Sequence, residues 1–178
     1  MSMEKYNKIH FIGIGGISMS SLAEILKSKG KTITGSDGVA SNVTKALENI
    51  GIQVSIGQKA ENITPDTDLI VYTAAVKEDN PELMAARASG IETVDRAALV
   101  GMMMLEYKFP LSVAGTHGKT TTSSLVTEIF LEANTNPTVS IGGILPSIKG
   151  NYKVGGEDYF ILETCEYCDS FLKFNPHG

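Results

Sequence analysis

The sequence has 178 residues, 42% of them hydrophobic and 20% charged, with a net charge of −5. This is an ordinary globular mix, sized for one large domain or two small ones, and its interspersed acids and bases argue against a nucleic-acid partner, which needs clustered Lys and Arg. No apolar run approaches the ~20 residues that span a bilayer, and the opening "MSMEKYNK" lacks the apolar centre of a signal peptide, so the chain reads as cytoplasmic.

The pattern along the chain is a short apolar strand, a turn, then a helix. "KIHFIGIGG" is a strand running into a glycine turn, and "SMSSLAEILKSKG" follows as a helix with Met19, Leu22, Ala23 and Leu26 at helical spacing and Gly30 as its stop. "KTITGSD" is a second strand. In "SNVTKALENIG" Ser41 or Asn42 can cap a helix that carries Val43, Leu47 and Ile50 on one face and closes at Gly51. "IQVSIG" and "LIVYTAAV" are strands. "PELMAARASG" is a helix started by Pro81 and ended by Gly90, and "IETVD" with "RAALVGMMMLEY" completes the first unit. A second unit opens with the strand "LSVAG", a Gly-Lys-Thr loop and a helix with Leu125, Ile129 and Ala133 aligned on one side and Val126 and Phe130 beside them. "NPTVSIGGIL" and "DYFILE" are two more strands. Alternation of this kind predicts an α/β fold built on parallel sheets. Three strands are few for a doubly wound domain, so the chain is expected to be the front portion of a longer protein.

Two glycine loops carry the chemistry. "GIGGIS" follows a strand and opens a helix. Gly13 permits a tight turn, Gly15 lets the backbone approach a phosphate, and the helix N-terminus favours an anion. Ser18 stands where a third glycine would serve close packing, and Asp37 ends the next strand, where a dinucleotide fold places an acid on a ribose. Taken alone, this loop fits a nicotinamide dehydrogenase or a plain packing turn. The second loop, "GTHGKTTT", is more specific. Lys119 can reach the β- and γ-phosphates, Thr120 can present a hydroxyl to Mg²⁺, and amides from Thr116 to Thr120 can line a cradle. Val113 occupies the first glycine position of the general phosphate-loop pattern. The pair Cys165 and Cys168 has half the ligands of a zinc site and reads as two reduced thiols.

The combination of "HFIGIGGISMSSLAEIL" with a later "AGTHGKTTT" resembles the Mur ligases of bacterial peptidoglycan synthesis. "TGSD" at 34–37, "AENI" at 60–63, "YTAAV" at 72–76, "DNPE" at 79–82, "RA" at 96–97 and "ETCEYCDSFL" at 163–172 add to the likeness, which runs from Lys8 to the end. The family uses a short G-x-x-G-K-T loop, so Val113 is no defect. The resemblance implies a Rossmann-like UDP-substrate domain over 1–108 and the first part of a P-loop ATP-binding α/β domain over 109–178, with a C-terminal amino-acid-binding domain absent.

It also implies an ATP-dependent ligase. ATP phosphorylates a carboxylate, and an amine attacks the acyl phosphate to give an amide. "GIGGISMS" narrows the likeness to members that join L-alanine to UDP-N-acetylmuramate. Members that take a recycled murein peptide are the alternative, and a noncatalytic nucleotide-binding module is a third reading. By the same likeness Gly115, Thr116, His117, Gly118, Lys119, Thr120 and Thr121 hold ATP, with no chemistry assigned to His117. Lys119, Thr120 and Glu166 are the catalytic set, and Thr120 and Glu166 are the Mg²⁺ ligands. Gly13, Gly15, Gly16, Ile17, Ser18, Asp37, Thr73 and Ala74 hold the UDP-substrate. Where relatives often carry Gly-His this chain has Gly57-Gln58. The chain alone is expected to be inactive, and its oligomeric state is open.

Overall fold

The computed structural model describes residues 3–163. They fall into two compact units, one of Glu4–Leu99 and one running on from Val100 together with Met3.

The Glu4–Leu99 unit is an α/β fold with a five-stranded parallel sheet. Its elements are β1 (Lys8–Ile12), α1 (Ile17–Ser28), β2 (Thr32–Asp37), α2 (Asn42–Asn49), β3 (Gln53–Ile56), β4 (Leu69–Tyr72), α3 (Pro81–Ala88) and β5 (Glu92–Asp95). A further helix, α4 (Arg96–Met104), begins here and continues past Leu99. The strand order is β3-β2-β1-β4-β5. The chain steps outward from β1 through β2 to β3, then returns to β4 on the other side of β1. That reversal opens a crevice at the carboxyl ends of β1 and β4, where ligands of open α/β sheets bind. β1 and β4 are nearly continuous apolar runs with Ile9, Phe11, Ile12, Leu69, Ile70 and Val71 fully buried, as central parallel strands require. α3 lays Leu83 and Ala86 against Ile12 and Ile70.

The helix signals act as read. The Ser41 hydroxyl accepts the Thr44 amide, and the Thr44 hydroxyl accepts the Ser41 amide in return, a closed capping box. Asn80 caps α3 ahead of Pro81. "LIVYTAAV" is shorter than expected: the strand ends at Tyr72, because the next residues turn, with the Val76 amide on the Thr73 carbonyl.

The second unit holds β6 (Phe109–Val113), α5 (Lys119–Glu132), β7 (Thr138–Leu145), β8 (Gly150–Lys153) and β9 (Tyr159–Glu163), in the order β6-β9-β7-β8. β6, β9 and β7 are parallel, whereas β8 folds back antiparallel on β7. This fourth strand was not expected. "GNYK" is short and half-buried throughout, so it has no apolar alternation to betray it. α5 also differs from its reading. Its inward face is Ser123, Val126, Thr127 and Phe130, the last apolar pair packing on Val139, Ile141 and Ile161, whereas Leu125 and Ile129 are exposed. The buried hydroxyls are satisfied locally: Thr127 donates to the Ser123 carbonyl and Ser123 to that of Thr120.

At the lower edge of the first sheet, Asp68 receives the Lys8 and Asn7 amides on one oxygen, each at 2.8 Å. These bonds hold its carboxyl below its ordinary range. A depressed native value means the stabilisation is complete above the unfolded value and is lost as pH falls through the native one. Asp68→Asn, which keeps an acceptor and removes the charge, is therefore expected to lower the melting temperature at neutral pH. The melting temperatures of the two proteins should converge on acidification below the ordinary carboxylate range, as a pH series of thermal melts would read. A constant gap would contradict the charge argument.

Candidate functional site

The first loop leaves β1 at the crevice. Gly13 takes a left-handed φ of 84°, and a Cβ there would sit 2.5 Å from the Thr73 methyl. A Cβ at Gly15 would meet the Asp37 carboxylate at 2.7 Å. The loop therefore brings Gly13, Gly15, Asp37 and Thr73 together, with close approach at Gly13 and Gly15 and ordinary contact at Gly16. Its amides are turned inward. Those of Gly13 and Ile14 both donate to the Ser36 carbonyl at 2.9 Å, and that of Gly15 donates to Asp37 Oδ2 at 2.8 Å. Gly16 caps α1 with extended backbone and no side-chain bond. The first turn of α1 opens directly from this loop. Ser18 lies in that turn and accepts a bond from Arg96 Nη1 at 2.7 Å. Ile17 and Ala74 are exposed. Gln58 receives the Asn80 side-chain amide at 2.7 Å, which ties the position to the cap of α3.

A further glycine is set behind the loop by close packing. Gly35, in β2, faces the loop: a Cβ there would lie 2.6 Å from Ile14 Cδ1 and 2.8 Å from the Phe11 carbonyl oxygen.

The second loop leaves β6 and enters α5. Gly118 caps the helix in the left-handed region at φ 75°, and Gly115 sits at φ 148°. Thr116, His117 and Thr121 are exposed around the loop. The Lys119 ammonium folds back to the Gly115 carbonyl at 2.6 Å, which puts the cation over the loop. β6 and β9 are paired so that Val113 lies opposite Glu163. This register brings the end of β9 to the start of α5, and the Thr120 hydroxyl donates to Glu163 Oε1 at 2.9 Å. Glu163 Oε2 receives the Gly142 amide at 2.8 Å and Ser123 Oγ at 3.4 Å. β7, the strand that follows α5, runs close to this pair: a Cβ at Gly142 would meet the carboxylate at 2.9 Å and one at Gly143 would meet the Thr120 methyl at 2.8 Å.

A Gly-Lys-Thr loop whose threonine touches a carboxylate at the end of a neighbouring strand is the arrangement by which phosphate-loop enzymes hold a nucleotide and its cation. Residues 8–108 match the family described as Mur ligase family, catalytic domain. The chain belongs to the Mur ligase family.

This Mur ligase chain is 59% identical over 168 residues to a UDP-N-acetylmuramate–L-alanine ligase of Agathobacter rectalis, covering 94% of the chain and 37% of the relative. A crystal structure of UDP-N-acetylmuramate-alanine ligase from Thermotoga maritima superposes with a TM-score of 0.86 at 36% identity, over 95% of this chain and 39% of that one. A UDP-N-acetylmuramate:L-alanyl-gamma-D-glutamyl-meso-diaminopimelate ligase from Neisseria meningitides gives 0.82 at 29% identity, over 91% and 53%. The chain thus spans little more than a third of the length of the alanine ligases it matches.

Glu166, Cys165 and Cys168 lie outside the described residues. The carboxylate that meets Thr120 is Glu163, which sequence reasoning quoted without assigning it to the metal. The available signal was positional: an acid closing a later apolar strand, β9, of the unit that opens with the Gly-Lys-Thr loop.

Proposed function

We propose that the chain is the nucleotide-handling part of an ATP-dependent ligase that joins L-alanine to UDP-N-acetylmuramate in peptidoglycan biosynthesis. Residues 1–108 form the UDP-substrate domain and 109–178 the first part of the ATP domain. The observation that carries this reading is the contact of Thr120 with Glu163 beside Lys119, in a chain whose other sheet bears a second, different glycine loop. Among the solved structures, identity of 36% to an alanine-adding enzyme against 29% to a peptide-adding one supports the alanine reading, as does 59% identity to the Agathobacter rectalis relative.

A carboxylate is a poor electrophile until one of its oxygens becomes a leaving group, and transfer of the γ-phosphoryl of ATP makes it one. An amine can then displace phosphate and form the amide. Lys119, released from the Gly115 carbonyl, would pair with the β- and γ-phosphate oxygens and offset the charge that develops on transfer. Loop residues Gly115 to Thr121 would wrap the phosphates with backbone amides. Thr120 and Glu163 fit Mg²⁺: a hydroxyl and a carboxylate oxygen 2.9 Å apart, flanked by glycines, match a hard cation that binds through one or two protein oxygens and the phosphates. Glu166 remains a proposed second acid. Bound there, Mg²⁺ supplies charge neutralisation on the phosphoryl oxygens. In the other unit the first turn of α1, with Ser18, would face the diphosphate, while Gly13, Gly15, Asp37, Thr73 and Ala74 shape the crevice.

No helix among the described residues is long and apolar enough to cross a membrane, in keeping with work on soluble nucleotide substrates in the cytoplasm. Titration calorimetry tests the reading. UDP-N-acetylmuramate and ATP with Mg²⁺ are expected to bind, each without blocking the other, and NAD far more weakly. A preference for NAD would return the first loop to the dehydrogenase reading.

A further inference from the structure

Beneath the first loop lies a buried polar chain of Glu82, His10, Thr34 and Ser36. Glu82, in the first turn of α3, is fully buried at 0% exposure. Both of its oxygens are engaged. Oε1 lies 2.8 Å from Nε2 of His10, itself 2% exposed, and Oε2 accepts the Ser36 hydroxyl at 2.6 Å. The other His10 nitrogen, Nδ1, lies 2.8 Å from Thr34 Oγ1. A carboxylate at this depth is strongly unfavourable unless such partners satisfy it. Its partners come from β1 and β2, so the group ties two strands to α3. Ser36 joins this chain to the loop, because the residue whose hydroxyl goes to Glu82 has the carbonyl that receives both the Gly13 and the Ile14 amides.

We infer that Glu82 is a positioning residue for the first loop: through Ser36 it fixes the start of the loop, and so the angle at which the first turn of α1 meets the ligand's anionic group. The inference rests on the reading of that loop as a nucleotide-sugar diphosphate site. Glutamine can replace Glu82 in this role. Its carbonyl accepts from Ser36 and its NH₂ donates to His10 Nε2, provided the imidazole moves its proton to Nδ1 and donates to Thr34. Alanine cannot, and it leaves His10 and Ser36 without their buried partner.

The experiment compares the parent chain with Ser36→Ala, Glu82→Ala and Glu82→Gln. Three quantities are measured on the folded proteins: amide exchange at Gly13 and Ile14, the affinity for UDP-N-acetylmuramate, and the affinity for ATP. Ser36→Ala and Glu82→Ala are expected to speed exchange at both amides and to raise the UDP-N-acetylmuramate Kd roughly tenfold, with the ATP Kd unchanged. Glu82→Gln is expected to restore both, and ¹⁵N spectra of its His10 ring should show the proton on Nδ1. If Glu82→Ala does not fold, Ser36→Ala, which removes one hydroxyl, decides the matter. Parent exchange rates and parent affinity in folded Ser36→Ala would overturn the inference. Should the parent itself not bind UDP-N-acetylmuramate, the functional reading falls, and exchange at Gly13 and Ile14 still tests the positioning role.

Discussion

Lys119→Ala is expected to weaken ATP binding about a hundredfold and to leave UDP-N-acetylmuramate binding within about twofold of the parent. The ammonium is the one side-chain cation inside the Gly115–Thr121 loop, and it lies over the loop on the Gly115 carbonyl. A charge-assisted bond to a phosphate contributes about 1.5–3 kcal/mol. Its removal would also leave Mg²⁺ as the one cation that this reading sets against the phosphate charge. The substitution is well tolerated by the fold, because alanine is the best helix former and the site is the first residue of α5. Calorimetry with both ligands and a circular dichroism spectrum read the outcome. Equal loss at both sites in a folded protein would contradict the assignment of the two loops to separate ligands, and parent ATP affinity would contradict the role of Lys119.

Gly35→Ala is expected to destabilise the Glu4–Leu99 unit by about 2–3 kcal/mol and to impair its ligand site. The prediction opposes simple propensity. Glycine inside a strand is usually worse than alanine by about 0.5–1 kcal/mol, so a free surface position would gain from the change. Here the added methyl meets Ile14 Cδ1 at 2.6 Å, Phe11 O at 2.8 Å and Ile14 Cβ at 2.9 Å. One of these is main chain and two belong to a fully buried side chain, so none can swing away. Relief requires β1 and the loop to shift from β2. Gly38→Ala is the control, since nothing lies within 4 Å of a Cβ there. Urea unfolding is expected to show a lower midpoint for Gly35→Ala and parent behaviour for Gly38→Ala. A Gly35→Ala protein as stable as the parent would show that the close approach is not required.

Much of the fold was legible because its signals are local. Met19, Leu22, Ala23 and Leu26 fall on one face at helical spacing and are all buried. Ser41, Pro81, Gly30, Gly51 and Gly90 mark helix ends by backbone geometry, and the three glycines adopt positive φ. The failures involve partners distant in sequence. Leu125 and Ile129 line up on α5 as well as any core pair, yet it is Val126 and Phe130, beside them, that pack on Val139, Ile141 and Ile161, in strands that lie further along the chain, and Ser123 reaches Glu163. β8 exists because β7 offers it an antiparallel edge, not because "GNYK" favours a strand.

The site divides in the same way. The loop residues were read from spacing, since a loop is a contiguous stretch of backbone, and their role toward a nucleotide is a proposal. Glu163 comes from a strand forty-three positions beyond Thr120, and only the β6–β9 register reveals it. Gly35, Ser36 and Glu82 support the first loop from behind. "TGSD" and "DNPE" were recognisable as strings, but nothing in either string says that a serine of one reaches a glutamate of the other.

The strand order of the second unit has a consequence for the time course of synthesis. Among the described residues β6 pairs with β9 alone, across the registers Phe109↔Tyr159 to Val113↔Glu163. β1, by contrast, gains its first neighbour at Thr32 and its second at Leu69. On a ribosome, which releases the chain from its N-terminus, the first sheet has every strand it needs once Asp95 has emerged. The strand that carries the phosphate loop must wait, unpaired, until Glu163 has emerged as well. Loops closed over longer separations form more slowly, and an unpaired edge is open to wrong partners meanwhile. The first sheet is therefore complete before the strand that carries the Gly-Lys-Thr loop meets its partner, and among the described residues the interval between Val113 and Glu163 leaves that strand open to misassembly.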